Sequence, residues 1–461
     1  MTLVATLPEP LSLLLPETHR NKHNDMINPG LARIQRLLSH LPPQTWPAIH
    51  VAGTNGKGSV CAYLTALFKH HAKHETSSPF RKVGRFTSPH LLEPRDSITI
   101  NGEPISKHAF AKVTAEIAAL DKREDIGASE FELLTASAYA AFSEEKVDVA
   151  IVECGMGGRL DATNVLTQPV VTVITRLGYD HQAFLGDTAA AIAMEKSGIM
   201  RQGVPCVVDA SSDEAFLDEV TEQAKTKGAT IHRTPAAGSV QYEKMFQSLD
   251  PASMRRLPDT AKQNMWTAYL VYKHTLSHFK QGTSSNSTIL AAEPDPAEIT
   301  HLVKIMLSAP NPGRFQSVEY RTSSGRTKSI ILDGAHNVQA FSALVKQVQR
   351  MREHENEIVT WVLASTTSRD PKEILQLIPA QDRIVATEFS SVEGMPWVRP
   401  VSSADWVKTL QSTREEWKVC SKPYEALDTA CHEADDGLLI VAGSLYLVSD
   451  VLRLLENDAR Q

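Results

Sequence analysis

The stretch "VAGTNGKGSVCAYL", residues 51–64, decides how this chain is read. It comes close to the general phosphate-binding loop, G-x-x-x-x-G-K-[ST], and departs from it by one residue: Gly58 follows Lys57, and the hydroxyl arrives at Ser59. The apolar run "AIHVAG" (48–53) predicts a buried strand in front of the loop, and residues 57–74 read as a helix behind it. Gly53, Gly56 and Gly58 let backbone amides turn toward an anion with no Cβ in the way. The helix directs its positive end at the same point. Thr54 and Asn55 complete the loop, Lys57 is in reach of β/γ-phosphate oxygens, and Ser59 suits Mg²⁺. A strand, three glycines, a lysine, a hydroxyl and a helix in this order predict a nucleotide site, where a glycine-lysine pair alone would read as a solvated turn.

On either side of the loop, short apolar runs alternate with helical patterns, the signature of an α/β protein. Strands are expected at 82–89, 147–158, 170–178 and 204–209, and helices at 132–145, 188–200, 213–227 and 261–280. Asn101-Gly102 in "DSITINGEPIS" marks a hairpin turn. "QGTSSNST" (281–288) reads as a polar loop. Two prolines and a glycine in "APNPGRF" place a boundary there. The reading is an extension at 1–29, a nucleotide-binding domain with a mostly parallel sheet at 30–308, a linker at 309–313 and a smaller, doubly wound α/β domain at 314–461. Within the last, "SIILDGAHN", "EIVTWVLAS", "RIVATEF" and "GLLIVAGSLYLV" alternate with helices near 338–353, 371–378, 404–411 and 423–434.

With 461 residues the chain has room for two cores. A net charge of -7 argues against a nucleic-acid partner, which favours a basic face. Five cysteines without a C-x-x-C pair argue against a disulfide framework or structural zinc and for a reducing compartment. The first residues lack the basic region of a signal or transit peptide, and no apolar run is long enough to span a bilayer. The expectation is a cytoplasmic monomer with no membrane partner.

Further candidate site residues stand where strands run into loops, the place α/β proteins build sites. Glu153 ends a strand before "CGMGGRLDATN", and a carboxylate there suits Mg²⁺ or merely caps the loop. Asp180-His181 follows the strand at 170–178. Ser88 lies in "RFTSPHL", which alone reads as a Ser-Pro turn. Lys196 in "MEKSGIM" reads from spacing alone as a helical surface lysine. "SEFELLT" (129–135) and "GGRLDATN" (157–164) read as a helix start and a polar loop. His70 and His74 stand one turn apart, but a metal there would need further ligands, and a solvated stretch is the simpler reading.

Nine segments, "HVAGTNGKGSV", "FTSPHL", "FELLTASA", "ECGMGGRLDATNV", "DHQAFLG", "EKSGI", "NPGRF", "DGAHN" and "AGSLYLV", occur in one order over roughly residues 30–455. In this the chain resembles the folylpolyglutamate synthase/dihydrofolate synthase group of the Mur ligase superfamily, ATP-dependent amide-bond formers. "FSSVEGMPWV" (389–398) is similar to the monofunctional fungal dihydrofolate synthases. The resemblance implies a P-loop ATPase domain followed by a Rossmann-like domain. It implies ligation of L-glutamate to dihydropteroate through an acyl phosphate, with polyglutamation of tetrahydrofolate, or both activities, as the alternative. It implies ATP as a substrate, Mg²⁺ held by Ser59, Ser88, Glu153 and His181, and a monovalent cation such as K⁺. By the same resemblance Lys196 carries a carbamate. Asn264, Arg314 and Asp333 join Gly53 to Ser59 in contacting ATP, and His336 lies near the incoming amino acid. Ser129, Glu130, Phe131, Glu132, Leu160, Asp161 and Ala162 line the pterin site. Lys57, Lys196 and His336 form the catalytic set. Lys262 stands where the family usually has a histidine.

Overall fold

The structure, a computed structural model, describes residues 30–280, 295–354 and 357–458. The extension at 1–29 and the polar loop at 281–288 lie outside the described residues. The chain folds as two units. One takes the chain to His90, Pro94–Leu249 and Ala261–Ala309; the other takes Leu91–Glu93, Asp250–Thr260 and Pro310 onward.

The first unit is built on an eight-stranded sheet of order β4-β3-β2-β5-β1-β6-β7-β8. Its strands are β1 (Ala48–Ala52), β2 (Val83–Phe86), β3 (Ile98–Ile100), β4 (Glu103–Pro104), β5 (Val149–Glu153), β6 (Pro169–Ile174), β7 (Pro205–Val208) and β8 (Thr230–Arg233). From β2 to β8 all neighbours are parallel, and β3 and β4 add an antiparallel edge. The β3–β4 turn is the expected Asn101-Gly102, both at positive φ (51° and 81°). Every residue of β1 and β5 is buried, as central parallel strands covered on both faces require. Helices Ala189–Ser197 and Glu214–Lys227 pack on one face through Ile192, Phe216 and Val220. Further along the same face, helix Glu130–Glu145 packs Tyr139 and Phe142 against Trp46 and Phe86.

The second unit holds six strands in the order β13-β12-β11-β14-β10-β9. These are β9 (Gln316–Arg321), β10 (Thr327–Leu332), β11 (Thr360–Leu363), β12 (Arg383–Thr387), β13 (Trp417–Cys420) and β14 (Leu439–Ala442). Only β9 runs antiparallel to its neighbour. Helices Val338–Met351, Pro371–Leu375 and Ser403–Gln411 cover one face around Phe341, Trp361 and Trp406. Helices Pro423–Ala434 and Leu445–Asp458 cover the other. "GLLIVAGSLYLV" is a strand only as far as Ala442. Gly443 turns the chain at φ +90°, where an added Cβ would lie 2.5 Å from the Ala364 carbonyl oxygen, and the last helix starts at Leu445.

Candidate active site

The phosphate loop leaves β1 and enters helix Lys57–His74 at the residue the sequence suggests. It is tied down by its neighbour strand: the amides of Thr54 and Asn55 both donate to the Arg176 carbonyl at 3.0 Å. The Thr54 hydroxyl donates to the Gly178 carbonyl at 3.0 Å. Two of the three glycines are sterically required. A Cβ at Gly53 (φ +145°) would lie 1.9 Å from the Thr175 hydroxyl, and one at Gly56 (φ +96°) would lie 2.2 Å from Asn264 Oδ1. The second contact brings Asn264, from helix Asp259–Lys280, to the loop. Gly58 differs, since a Cβ there would meet only Glu153 Oε2, at 3.7 Å. That measurement turns the Glu153 carboxylate toward the loop. Lys57 Nζ folds over its own loop, donating to the carbonyls of Gly53 (3.2 Å) and Thr54 (3.4 Å).

Glu153 is the last residue of β5, and Ser88, Ser59 and His181 follow the C-terminal ends of its neighbours β2, β1 and β6 in the order β2-β5-β1-β6. Ser59 and Glu153 are buried, Ser88 is half-buried and His181 is exposed at a positive φ of 52°. Among the described residues no three His, Cys, Asp or Glu side chains converge to hold a metal. The set here is two hydroxyls, one carboxylate and one imidazole. Its oxygens are the hard donors Mg²⁺ accepts beside phosphate, and Glu153 already faces the phosphate loop, so the residues fit that ion. Arg85, on β2, escaped the sequence reading; Glu153 is among the charges that act on its guanidinium.

Lys196 is no surface lysine. It is 3% exposed and donates to the Gly53 carbonyl at 3.0 Å, the same oxygen that Lys57 reaches. Burial, then the charge of Lys57, pull its pKa from 10.5 down to about 7. The glycine-rich loop after β5 holds the end of its helix. A Cβ at Gly158 would lie 2.7 Å from the Lys196 carbonyl oxygen. The Arg159 amide donates to the Glu195 carbonyl at 2.7 Å, and the Arg159 guanidinium pairs with the Glu195 carboxylate, also at 2.7 Å.

The seven residues carried over for the pterin divide by their partners. Ser129 and Glu132 form a capping box at the start of helix Glu130–Glu145, and Arg33 Nε donates to Glu132 Oε2 at 2.9 Å. Asp161 is buried and accepts from the amides of Met156 and Thr163. Burial pushes its pKa up, and these bonds oppose the rise. Ala162 is buried in the core between helices. Glu130 is exposed, and Phe131 and Leu160 are half-buried. The Phe131 ring stacks on Phe86 with centroids 6.0 Å apart, and a Cβ at Gly155 would lie 2.5 Å from its tip. Below this loop stands His50, which the sequence reading passed over. Its Nε2 lies 2.8 Å from the Thr163 hydroxyl and 3.1 Å from Cys154 Sγ, and burial lowers its pKa to about 3. A histidine inside the otherwise apolar "AIHVA" was the available signal.

In the second unit, Asp333 ties two loops together. Its Oδ2 accepts from the Phe315 amide and its Oδ1 from the Ala335 amide, both at 2.8 Å. Burial raises its pKa, against the pull of Arg314, which is exposed. His336 Nδ1 donates to the Gly334 carbonyl at 2.7 Å, which places the ring proton on Nδ1. Asn337 caps helix Val338–Met351 by accepting from the Ala340 amide.

Comparison with known proteins finds relatives along nearly the whole chain. Residues 51–255 match the Mur ligase middle domain, and residues 316–454 match the dihydrofolate synthetase C-terminal domain. The chain is 34% identical over 451 residues to a probable dihydrofolate synthetase of Schizosaccharomyces pombe, covering 93% of this chain and 99% of that protein. It superposes with a TM-score of 0.73 on E. coli FolC in complex with DHPP and ADP, at 25% identity, covering 98% and 99% of the two chains. A bifunctional folylpolyglutamate synthase/dihydrofolate synthase with Mn, AMPPNP and L-glutamate bound gives a TM-score of 0.71, at 25% identity and with coverage of 97% and 98%.

Proposed function

The chain belongs to the dihydrofolate synthetase and folylpolyglutamate synthase family of the Mur ligases, and we propose that it joins L-glutamate to 7,8-dihydropteroate at the expense of ATP. A pteroate carboxylate is a poor electrophile. Its oxygen attacks the γ-phosphorus of ATP, the bond to the β-phosphate oxygen breaks, and ADP leaves behind an acyl phosphate. The glutamate amine then attacks the acyl carbon, the C–N bond forms, the amine loses a proton and phosphate departs.

Such phosphoryl transfer needs positioning and charge neutralisation above all. The loop amides from Gly53 to Ser59 and the Lys57 ammonium receive the phosphates, with Asn264 beside them. Mg²⁺, when bound, supplies charge neutralisation on the phosphate oxygens, and Ser59, Ser88, Glu153 and His181 would hold it. Phe131 and Leu160 offer apolar surface to a pterin ring, while Ser129, Glu132, Asp161 and Ala162 shape that surface from behind. Arg314 and Asp333 are assigned to the nucleotide and His336 to the incoming amino acid. Lys196 with a pKa of about 7 has the neutral amine that CO₂ addition requires, which supports a carbamate there. A monovalent cation such as K⁺ is carried by the resemblance alone. Five free cysteines fit a reducing compartment, and a cytoplasmic monomer is the state proposed with this activity.

The observation that carries this reading is the pair of lysines sharing the Gly53 carbonyl on a loop that the Glu153 carboxylate faces. The test mixes protein, Mg-ATP and glutamate with dihydropteroate or with tetrahydrofolate and follows ADP. Release with dihydropteroate alone is expected; release with tetrahydrofolate alone assigns the polyglutamating activity instead, and release with both makes the enzyme bifunctional. Lys57→Ala should lower ligation at least about a hundredfold with the fold intact. Near-normal turnover in that variant overturns the site.

A further inference from the structure

His70 and His74 have no role in the ligation proposed above, and the fold gives His70 a companion 231 positions away. Helix Pro296–Leu307 packs along helix Lys57–His74 and carries His301 to its far end. There the Nε2 atoms of His70 and His301 lie 2.9 Å apart, with His70 half-buried and His301 exposed. His74, one turn on, stacks its ring on His70 with centroids 4.2 Å apart and planes 28° from parallel.

We infer that His70 and His301 form a two-imidazole chelate for a square-planar or octahedral first-row cation of the Cu²⁺ and Ni²⁺ class, with solvent completing the coordination. Two ring nitrogens at 2.9 Å, each about 2.0–2.1 Å from a common ion, subtend about 90° at it. That is the angle between neighbouring ligands in tetragonal and octahedral geometry, and imidazole is a preferred donor for both ions. A tetrahedral Zn²⁺ would want the nitrogens about 3.3 Å apart. Mg²⁺ prefers oxygen and does not compete. Nearly parallel stacked rings set their nitrogens side by side, so His74 supports the His70 ring without converging on the same ion. This agrees with the lack, among the described residues, of any three-residue His, Cys, Asp or Glu metal cluster.

Both rings must be neutral to bind. One Nε2–H now donates to the other Nε2, and a shift of that proton to Nδ1 exposes both lone pairs with no net proton released. Burial and the neighbouring charges of His74, His301, Lys73 and His71 hold the His70 pKa below its usual value, which keeps the ring neutral at physiological pH. The ion would clip the last helix of the first unit to the helix whose other end forms the phosphate loop.

The test uses the full chain, stripped with a chelator and kept in excess Mg²⁺. Ni²⁺ binding is followed by calorimetry and melting temperature, and Cu²⁺ binding by the nitrogen superhyperfine pattern in EPR. The expected result is one ion per chain and two equatorial nitrogens. His70→Gln and His301→Gln should each lose at least tenfold in affinity together with the melting shift, while His74→Gln retains both. All three positions are on the surface, and circular dichroism checks their folding. No stoichiometric binding by the wild type overturns the inference. So does binding that survives His301→Gln but not His74→Gln, which would make the i, i+4 pair the site. Loss in both of those variants, with three nitrogens in the spectrum, overturns the two-ligand geometry.

Discussion

Replacing Lys196 by methionine should abolish ligation and yet make the protein more stable at neutral and acid pH. Lys196 is 3% exposed, and its pKa falls from 10.5 to about 7 through burial first and the Lys57 charge second. At about 1.4 kcal/mol per pKa unit, keeping this ammonium charged inside the fold costs about 5 kcal/mol. Methionine fills similar space and loses the bond to the Gly53 carbonyl, a loss of about 1 kcal/mol. Lys57 still donates to that oxygen. A net gain of about 4 kcal/mol remains. The pH window follows from the direction of the shift. Below pH 7 the lysine is protonated in both folded and unfolded chains, and the penalty is complete. Between 7 and 10.5 only the unfolded chain holds the proton, so wild-type stability rises with pH. Above 10.5 both states are neutral, and the advantage of methionine is gone. Urea unfolding of both proteins at pH 6, 8 and 10.5, in CO₂-free buffer so that the amine stays unmodified, measures the gap. A variant less stable than wild type at pH 6, or a gap that does not close as pH rises, refutes the reasoning. A ¹³C carbamate signal in wild type under labelled bicarbonate, absent from the variant, would tie the same amine to the proposed adduct.

Lys57→Met removes the second cause of that shift, so the rise in stability with pH should begin above pH 7; the same urea series reads it, and an unchanged onset counts against coupling of the two lysines. Gly155→Ala would place a methyl 2.5 Å from the Phe131 ring tip, so the ring must turn. The expected result is a KM for dihydropteroate raised roughly tenfold, about 1.4 kcal/mol, with the KM for ATP unchanged, and equal rises in both would detach Phe131 from the pterin. His274 is buried beside His232, its Nε2 has no partner, and its pKa is lowered to about 4. The unfolded chain takes up that proton as pH falls through 6.5 while the fold refuses it until about 4, at a cost of up to about 3 kcal/mol. His274→Phe should therefore flatten the loss of stability between pH 6.5 and 4, as read from urea midpoints, and an unchanged slope would clear His274 of the effect.

What could be read in the sequence was what is encoded locally. The phosphate loop, its strand and the helix from Lys57 to His74 were legible because glycine spacing and apolar runs act over a few residues. "SEFELLT" read alone as a helix start, and the structure gives Ser129 and Glu132 that capping role. Helix Lys107–Arg123 was passed over although Ser106 announces it with a cap on the Ala109 amide. Strands β8, "TIHR", and β13, "WKVC", lie at sheet edges, and with no buried position in either they carry no in-and-out alternation to detect. The remainder is tertiary. Lys196 looked like a surface lysine because the packing of its helix end on the loop at 155–159 is invisible in spacing. His301 met His70 only once two helices far apart in the chain had packed.

That division explains why the departure at Gly58 marks a site of this kind. In the general loop a hydroxyl residue follows the lysine directly. Here the steric demand falls on Gly53 and Gly56, which Thr175 and Asn264 crowd, whereas the space at Gly58 opens toward the Glu153 carboxylate. A serine at position 58 would direct a Cβ and hydroxyl into the gap between the loop and that carboxylate. At position 59, one residue further along the helix, the serine side chain is buried and the gap stays clear. A lysine drawn back onto the Gly53 carbonyl from one side and Lys196 arriving at the same oxygen from another then concentrate two amines at the loop's first glycine. Burial first, and the charge of Lys57 second, keep the Lys196 amine near neutrality. The loop therefore does more than cradle an anion: its backbone carbonyl couples the charge of the phosphate-binding lysine to the protonation of the buried one.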